Sequence, residues 1–125
     1  MAGPYSGVRV VDTTGLAGAY ATRLFAGLGA EVIRLEPPHG SPLRTLAPFA
    51  ESIEPPENSL WWAYLGMGTQ SVVVDPDDGD ALAQILSEAD VVFEDRLPEQ
   101  SPITADLLPD TAIRTTIVPF GLTGP

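Results

Sequence analysis

The sequence predicts an α/β protein built on an open, mainly parallel sheet of five strands with flanking helices. Three observations lead there. Five short runs rich in β-branched residues alternate with stretches of helical spacing or turn residues. The first two runs bracket a single helix, the arrangement that joins parallel neighbours by a right-handed crossover. A chain of 125 residues, 44% apolar and 18% charged, is large enough for one globular domain and too apolar for wholesale disorder.

Taken in order, Val8-Arg9-Val10-Val11 forms a strand that ends at Asp12, and Thr13 to Gly18 makes a turn. From Ala19 to about Ala26, Tyr20, Leu24 and Phe25 fall at helical spacing and predict an inward apolar face, with Gly27 or Gly29 closing the helix. Glu31 to Glu36 is a second strand, halted by Pro37-Pro38 because proline offers no ladder donor and restricts its predecessor. Residues 37–57 hold six prolines and no periodicity, a long loop suited to ligand or partner contact.

Asn58 or Ser59 can cap a short helix from Leu60 to Tyr64, which Gly66 and Gly68 break before the strand Ser71 to Val74. Trp61 and Trp62 are adjacent, so one is expected in the core and the other against a partner. Asp75 to Asp78 is a turn, and Asp78 or Asp80 caps a helix with Leu82, Ile85 and Leu86 inward; acids there favour the helix dipole. Ala89 to Glu94 is a fourth strand, Ile103 to Leu108 a weak helix and Ile113 to Val118 a fifth strand, before the turn sequence Pro119 to Pro125. No helix follows to cover the last strand, so the sheet reads as incomplete. Its edge is expected to associate with a second copy or with the remainder of a parent enzyme.

Charge narrows the function. The formal net charge is -11, with every basic residue an arginine. Residues 1–74 carry six acids against four arginines, and residues 75–125 eleven against two, which would repel a phosphate backbone and argues against nucleic acid. No apolar run approaches a membrane span, and the amino terminus lacks a secretion signal, so the expected location is the cytoplasm. There is no cysteine and hence no disulfide, thiolate nucleophile or cysteine-bound zinc. The acids around Asp75 read as capping and solubility, and no metal is expected.

The most suggestive loop is Thr13-x-Gly15-x-x-Gly18 between the first strand and helix, where free N–H groups and the dipole can receive a phosphate or carboxylate. Glu36 stands where a dinucleotide-binding unit holds a ribose hydroxyl, although Thr13 replaces the first glycine of that fingerprint. The alternative is that these glycines only permit a tight turn and close helix packing.

Several segments in order resemble the start of family III CoA-transferases, the carnitine dehydratase and bile-acid-inducible type. They are Arg9 to Asp12, Leu16-Ala17-Gly18, Ala21-Thr22, Leu28 to Pro38, Gly40 with Arg44, Ser71 to Asp75, Ala89 to Glu94, and Phe120 to Pro125. The resemblance implies the N-terminal part, residues 1–125, of a Rossmann-like large domain in an interlocked dimer that moves CoA between carboxylic acids. It implies that Leu16, Ala17 and Gly18 line the nucleotide site, that Arg44 meets phosphate with Arg96 compensating, and that acyl-CoA is the partner. The catalytic Asp of the family falls beyond the position matching Pro125, so no catalytic residue is expected here and the chain alone is expected to be inactive. Where the family has an Asn-Arg-Gly-Lys-Arg-Ser stretch, this chain has Gly66 to Ser71, so Met67, Thr69 and Gln70 replace three cations and weak CoA binding is expected. Its Glu-Asn-Phe is here Glu94-Asp95-Arg96. Two other readings stay open: a degenerate, non-catalytic interaction or regulatory domain, and, more distantly, a nicotinamide-dinucleotide domain using Glu36.

Overall fold

The computed structural model describes residues 2–123; Gly124 and Pro125 of the closing turn lie outside them. Five strands, β1 (Arg9–Asp12), β2 (Glu31–Glu36), β3 (Gln70–Val73), β4 (Val91–Glu94) and β5 (Ile113–Thr116), alternate with helices α1 (Leu16–Gly27), α2 (Leu60–Leu65) and α3 (Gly79–Leu86). All strands run parallel in the order β3-β2-β1-β4-β5. The chain winds outward from β1 to β3, then returns to the other side of β1. That reversal between β1 and β4 is the switch point at which open α/β sheets open a crevice beyond their strand ends.

The period of two along each strand sends alternate residues to opposite faces. Val11, Val92 and Val74 meet Leu82 and Leu86 of α3 together with Ile103. Val10, Val32 and Phe93 meet the other face, where Ala21, Phe25 and Ala26 of α1 pack. A third cluster, Ala19, Leu43 and Leu65, seats α2 and the Pro42–Thr45 turn against α1, with Trp62 beside it. Trp62 thus packs inward while Trp61 is 41% exposed. Ser59 caps α2 by accepting from the Trp62 N–H, and Asp78 caps α3 by accepting from that of Ala81.

Helix α1 departs from its predicted face. It starts at Leu16 rather than Ala19, and it buries Gly18, Ala19 and Thr22 while Tyr20 and Leu24 stay exposed. The physical reason lies beneath it: the sheet presents Asp12 and Arg34 there, so the helix turns small and hydroxyl residues inward. The helix ends at Gly27 with Leu28 as its cap, and Gly29 supplies the φ of +99° that turns the chain into β2. The weak helix over residues 103–108 is only the short 3-10 turn Ala105–Leu107, because Ile103 is drawn into the α3 core. Within loop 37–57, Pro42–Thr45 makes a 3-10 turn, and Phe49 bridges Ser59.

Candidate functional site

Each of the three interior strands, β2, β1 and β4, ends in a buried carboxylate: Glu36, Asp12 and Glu94. An unpaired charge in such a place would be costly, and each has an arginine. Asp12 lies 2.8 Å from Arg34 Nη2 and accepts from the Thr14 N–H and hydroxyl at 2.8 and 2.7 Å and from the Thr22 hydroxyl at 2.6 Å. It thereby ties β1 to β2, to its own turn and to α1. Arg34 Nε and Nη1 have no hydrogen-bond partner among the described residues. Glu94 accepts from Arg114, from Ser101 at 2.5 Å and from Thr116 at 3.1 Å.

Glu36 is held most tightly. Arg44 grips it through Nε at 2.6 Å and Nη2 at 2.8 Å, the Ser41 N–H donates at 2.7 Å, and the Ser71 hydroxyl donates as well. Burial alone would raise its carboxyl, yet Arg44, Ser71 and Ser41 together hold it down at about 2. A ribose hydroxyl would have to displace those donors, which counts against the dinucleotide reading. Burial likewise works to raise Glu94, and the hydrogen bonds from Arg114 and Ser101 outweigh it, leaving the carboxyl below its ordinary value.

The loop that opens α1 leaves the carboxyl end of β1 and leads into the predicted residues. Leu16 and Ala17 are exposed at the first turn of the helix, and Gly18 is buried. A Cβ on Gly18 would stand 2.4 Å from Thr14 Oγ1, so the glycine is required for packing. The Gly15 N–H, at the positive end of α1, donates to Asp95 Oδ2 at 2.7 Å. A carboxylate of the chain itself therefore sits where an anion was expected.

A cavity of about 60 Å³ lies across the strand ends, lined by Thr13, Leu35, Glu36, Val74, Arg96 and Ile103 among others. Arg96 stands on its rim, exposed, and makes no ion pair with the described residues. Arg44 is engaged on three sides, by Glu36, by Glu57 and by the ring of Trp62 at 3.7 Å. The structure thus brings Arg96 to the crevice and places Arg44 behind Glu36.

The turn of Met67 and Thr69 lies elsewhere. Gln70 pairs with Ile33 in mid-strand, Met67 Sδ lies against Arg23 of α1, and Gly68 approaches Ala26. This turn lies at the amino end of β3, away from the residues that line the strand-end cavity.

Sequence reading missed Arg34, Ser41, Glu57, Ser71 and Arg114 as partners. One signal was present: an arginine at the centre of an interior parallel strand, covered on both faces, must find an acid. Among the described residues no group of three or more His, Asp or Glu side chains could hold a metal, and no helix is long and apolar enough to cross a membrane.

A doubly wound parallel sheet with a cavity across its strand ends defines an α/β unit of the Rossmann-like class. A family model for CoA-transferase family III matches residues 5–103, and the chain belongs to that family. It is 35% identical over 130 residues to the succinyl-CoA:(R)-benzylsuccinate CoA-transferase subunit BbsE of Thauera aromatica, covering 97% of this chain and 32% of the relative. It is 34% identical over 101 residues to the acetyl-CoA:oxalate CoA-transferase of Acetobacter aceti, covering 77% and 25%. Among solved structures, a hypothetical protein of Mycobacterium tuberculosis superposes with a TM-score of 0.82 at 30% identity, covering 99% of this chain and 36% of the other. A CAIB/BAIF family protein of Brucella suis gives 0.82 at 28% identity, covering 100% and 36%. The chain thus spans about a third or less of the length of these curated relatives.

Proposed function

We propose that this chain is the CoA-binding N-terminal part of a larger domain in a CoA-transferase that moves CoA between carboxylic acids. The observation that carries this reading is Arg96, without an ion-pair partner among the described residues on the rim of the strand-end cavity and next in sequence to the Asp95 that touches the start of α1. In this reading Leu16, Ala17 and Gly18 border the ligand, Arg96 meets a phosphate, and Arg44 offers its outer edge to another. The acids at the strand ends take no covalent role, because Asp12, Glu36 and Glu94 already hold the fold together. The chain alone then has no transferase activity, and the rest of the domain and a second copy are its expected partners.

Calorimetric titration with CoA tests it. Binding in the high micromolar range is expected, and Arg96→Ala should weaken it by at least about tenfold, the worth of one charge-assisted contact. A silent titration, or one indifferent to Arg96→Ala, would sink the reading. It would favour the second, a non-catalytic interaction domain, which the carboxylate of Asp95 on the Gly15 N–H supports.

A further inference from the structure

Arg44 presents three sides with different partners. Nε and Nη2 are committed to Glu36, whose side chain is 1% exposed, and the guanidinium face lies 3.7 Å from the centroid of the Trp62 ring. The group is therefore fixed in place. Its remaining edge, Nη1, donates to Glu57 Oε1, while Trp62 Nε1 donates to Oε2 of the same carboxylate at 3.1 Å. Two donors held by their neighbours thus converge on one oxyanion. The donors are sheltered, with the Arg44 side chain 12% exposed, whereas the acceptor, Glu57, is 59% exposed and comes from the proline-rich loop. A shallow groove of about 350 Å³, bounded by Arg44, Thr45, Phe49, Pro55, Pro56 and Asn58, opens beside the pair.

We infer that Glu57 is an internal competitor, filling this oxyanion site when no ligand is bound and yielding it to a phosphate group. The choice of phosphate follows from tethering. Glu57 acts at an effective concentration of the order of millimolar or more, so a free carboxylate bringing the same charge and geometry gains nothing by replacing it. A phosphate brings up to a second charge and a third acceptor oxygen, and guanidinium matches it in two-point geometry. The inference deepens the proposed role of Arg44 and takes its ligand class from that reading. Its new content is that Glu57 opposes binding and that Trp62 reports the exchange, because the indole trades its carboxylate acceptor for a phosphate oxygen when Glu57 leaves.

The test is tryptophan emission of the whole chain, titrated at constant ionic strength with sodium pyrophosphate or sodium acetate. Pyrophosphate should change the emission of the wild type and of Trp61→Phe but not of Trp62→Phe, and acetate should change none. Glu57→Gln, an exposed substitution that leaves the core untouched, should bind pyrophosphate about tenfold more tightly by removing the tethered rival. Unchanged affinity in Glu57→Gln, a signal that follows Trp61, or an equal response to acetate would overturn the inference. Repeating the titration with CoA separates the two readings. Tighter pyrophosphate binding in Glu57→Gln without CoA binding keeps this site and rejects the CoA reading. CoA binding indifferent to Glu57→Gln keeps the CoA reading and rejects this one.

Discussion

The two faces of the sheet are built on opposite principles. Toward α3, Val11, Val74, Val92, Leu82, Leu86 and Ile103 form an apolar layer, and the ion pair of Glu94 with Arg114 lies at the strand ends. Toward α1, the apolar residues Val10, Val32 and Phe93 give way, toward the carboxyl ends of β1 and β2, to Asp12, Arg34 and Thr22, all essentially without exposure. One face is held by area removed from water, which is non-directional and tolerant of reshaping. The other is held by an ion pair whose desolvation is offset only while both partners are present. The α1 face is therefore specific and brittle, and the α3 face forgiving.

The strongest test of that contrast is Arg34→Met. It strands the buried carboxylate of Asp12 and should cost about 3–5 kcal/mol in urea unfolding. Combining it with Asp12→Asn, which keeps an acceptor for Thr14 and Thr22, should restore most of the loss. A single variant as stable as the wild type would show that the pair does not define this face. On the other face, Leu86→Ala should cost about 3 kcal/mol through lost burial and a cavity, whereas Leu86→Met should cost less than about 1.5 kcal/mol. Equal losses from the two would show that the α3 face is no more forgiving than its opposite.

The smallest effect falls at the strand ends. Glu36 titrates at about 2 in the folded chain against an ordinary value of 4.5. Its contribution is thus fully present above about 4.5 and is lost as pH falls through about 2. Glu94 is depressed as well and acts in the same direction. Thermal melts between those limits should show the midpoint falling with pH, and Glu36→Gln should flatten the profile while lowering its plateau. A wild-type melting point unchanged over this interval would contradict the assignment.

This contrast also explains what could be read from the sequence. The strands and α3 were legible because apolar alternation and the cap at Asp78 agree with one another. The inward face of α1 was not, since Tyr20 and Leu24 carry helical periodicity yet point outward. What turns α1 is the pair of Asp12 on β1 with Arg34 on β2, a contact across 22 residues that no local window contains. The candidate site divides in the same way. The loop before α1 and Arg96 were visible as motif and charge, whereas the partners of Arg44 come from β2, a distant loop and α2. The turn at Met67 precedes β3 and so lies at that strand's amino end, as its place in the sequence requires.

The three strand-end pairings bear on how fast anything anionic can arrive. Arg34, Arg44 and Arg114 each neutralise an acid inside the molecule, and Arg9 is taken by Glu31 and Glu88. A chain of net charge -11 then faces solvent with few cations free to draw a ligand in. Encounter with a phosphate-bearing molecule is thus slowed by the long-range field, and added salt, by shortening the Debye length from about 30 Å at 0.01 M to about 8 Å at 0.15 M, speeds association. That salt dependence is the reverse of electrostatic steering, and it follows from the net charge together with the commitment of most arginines to internal acids.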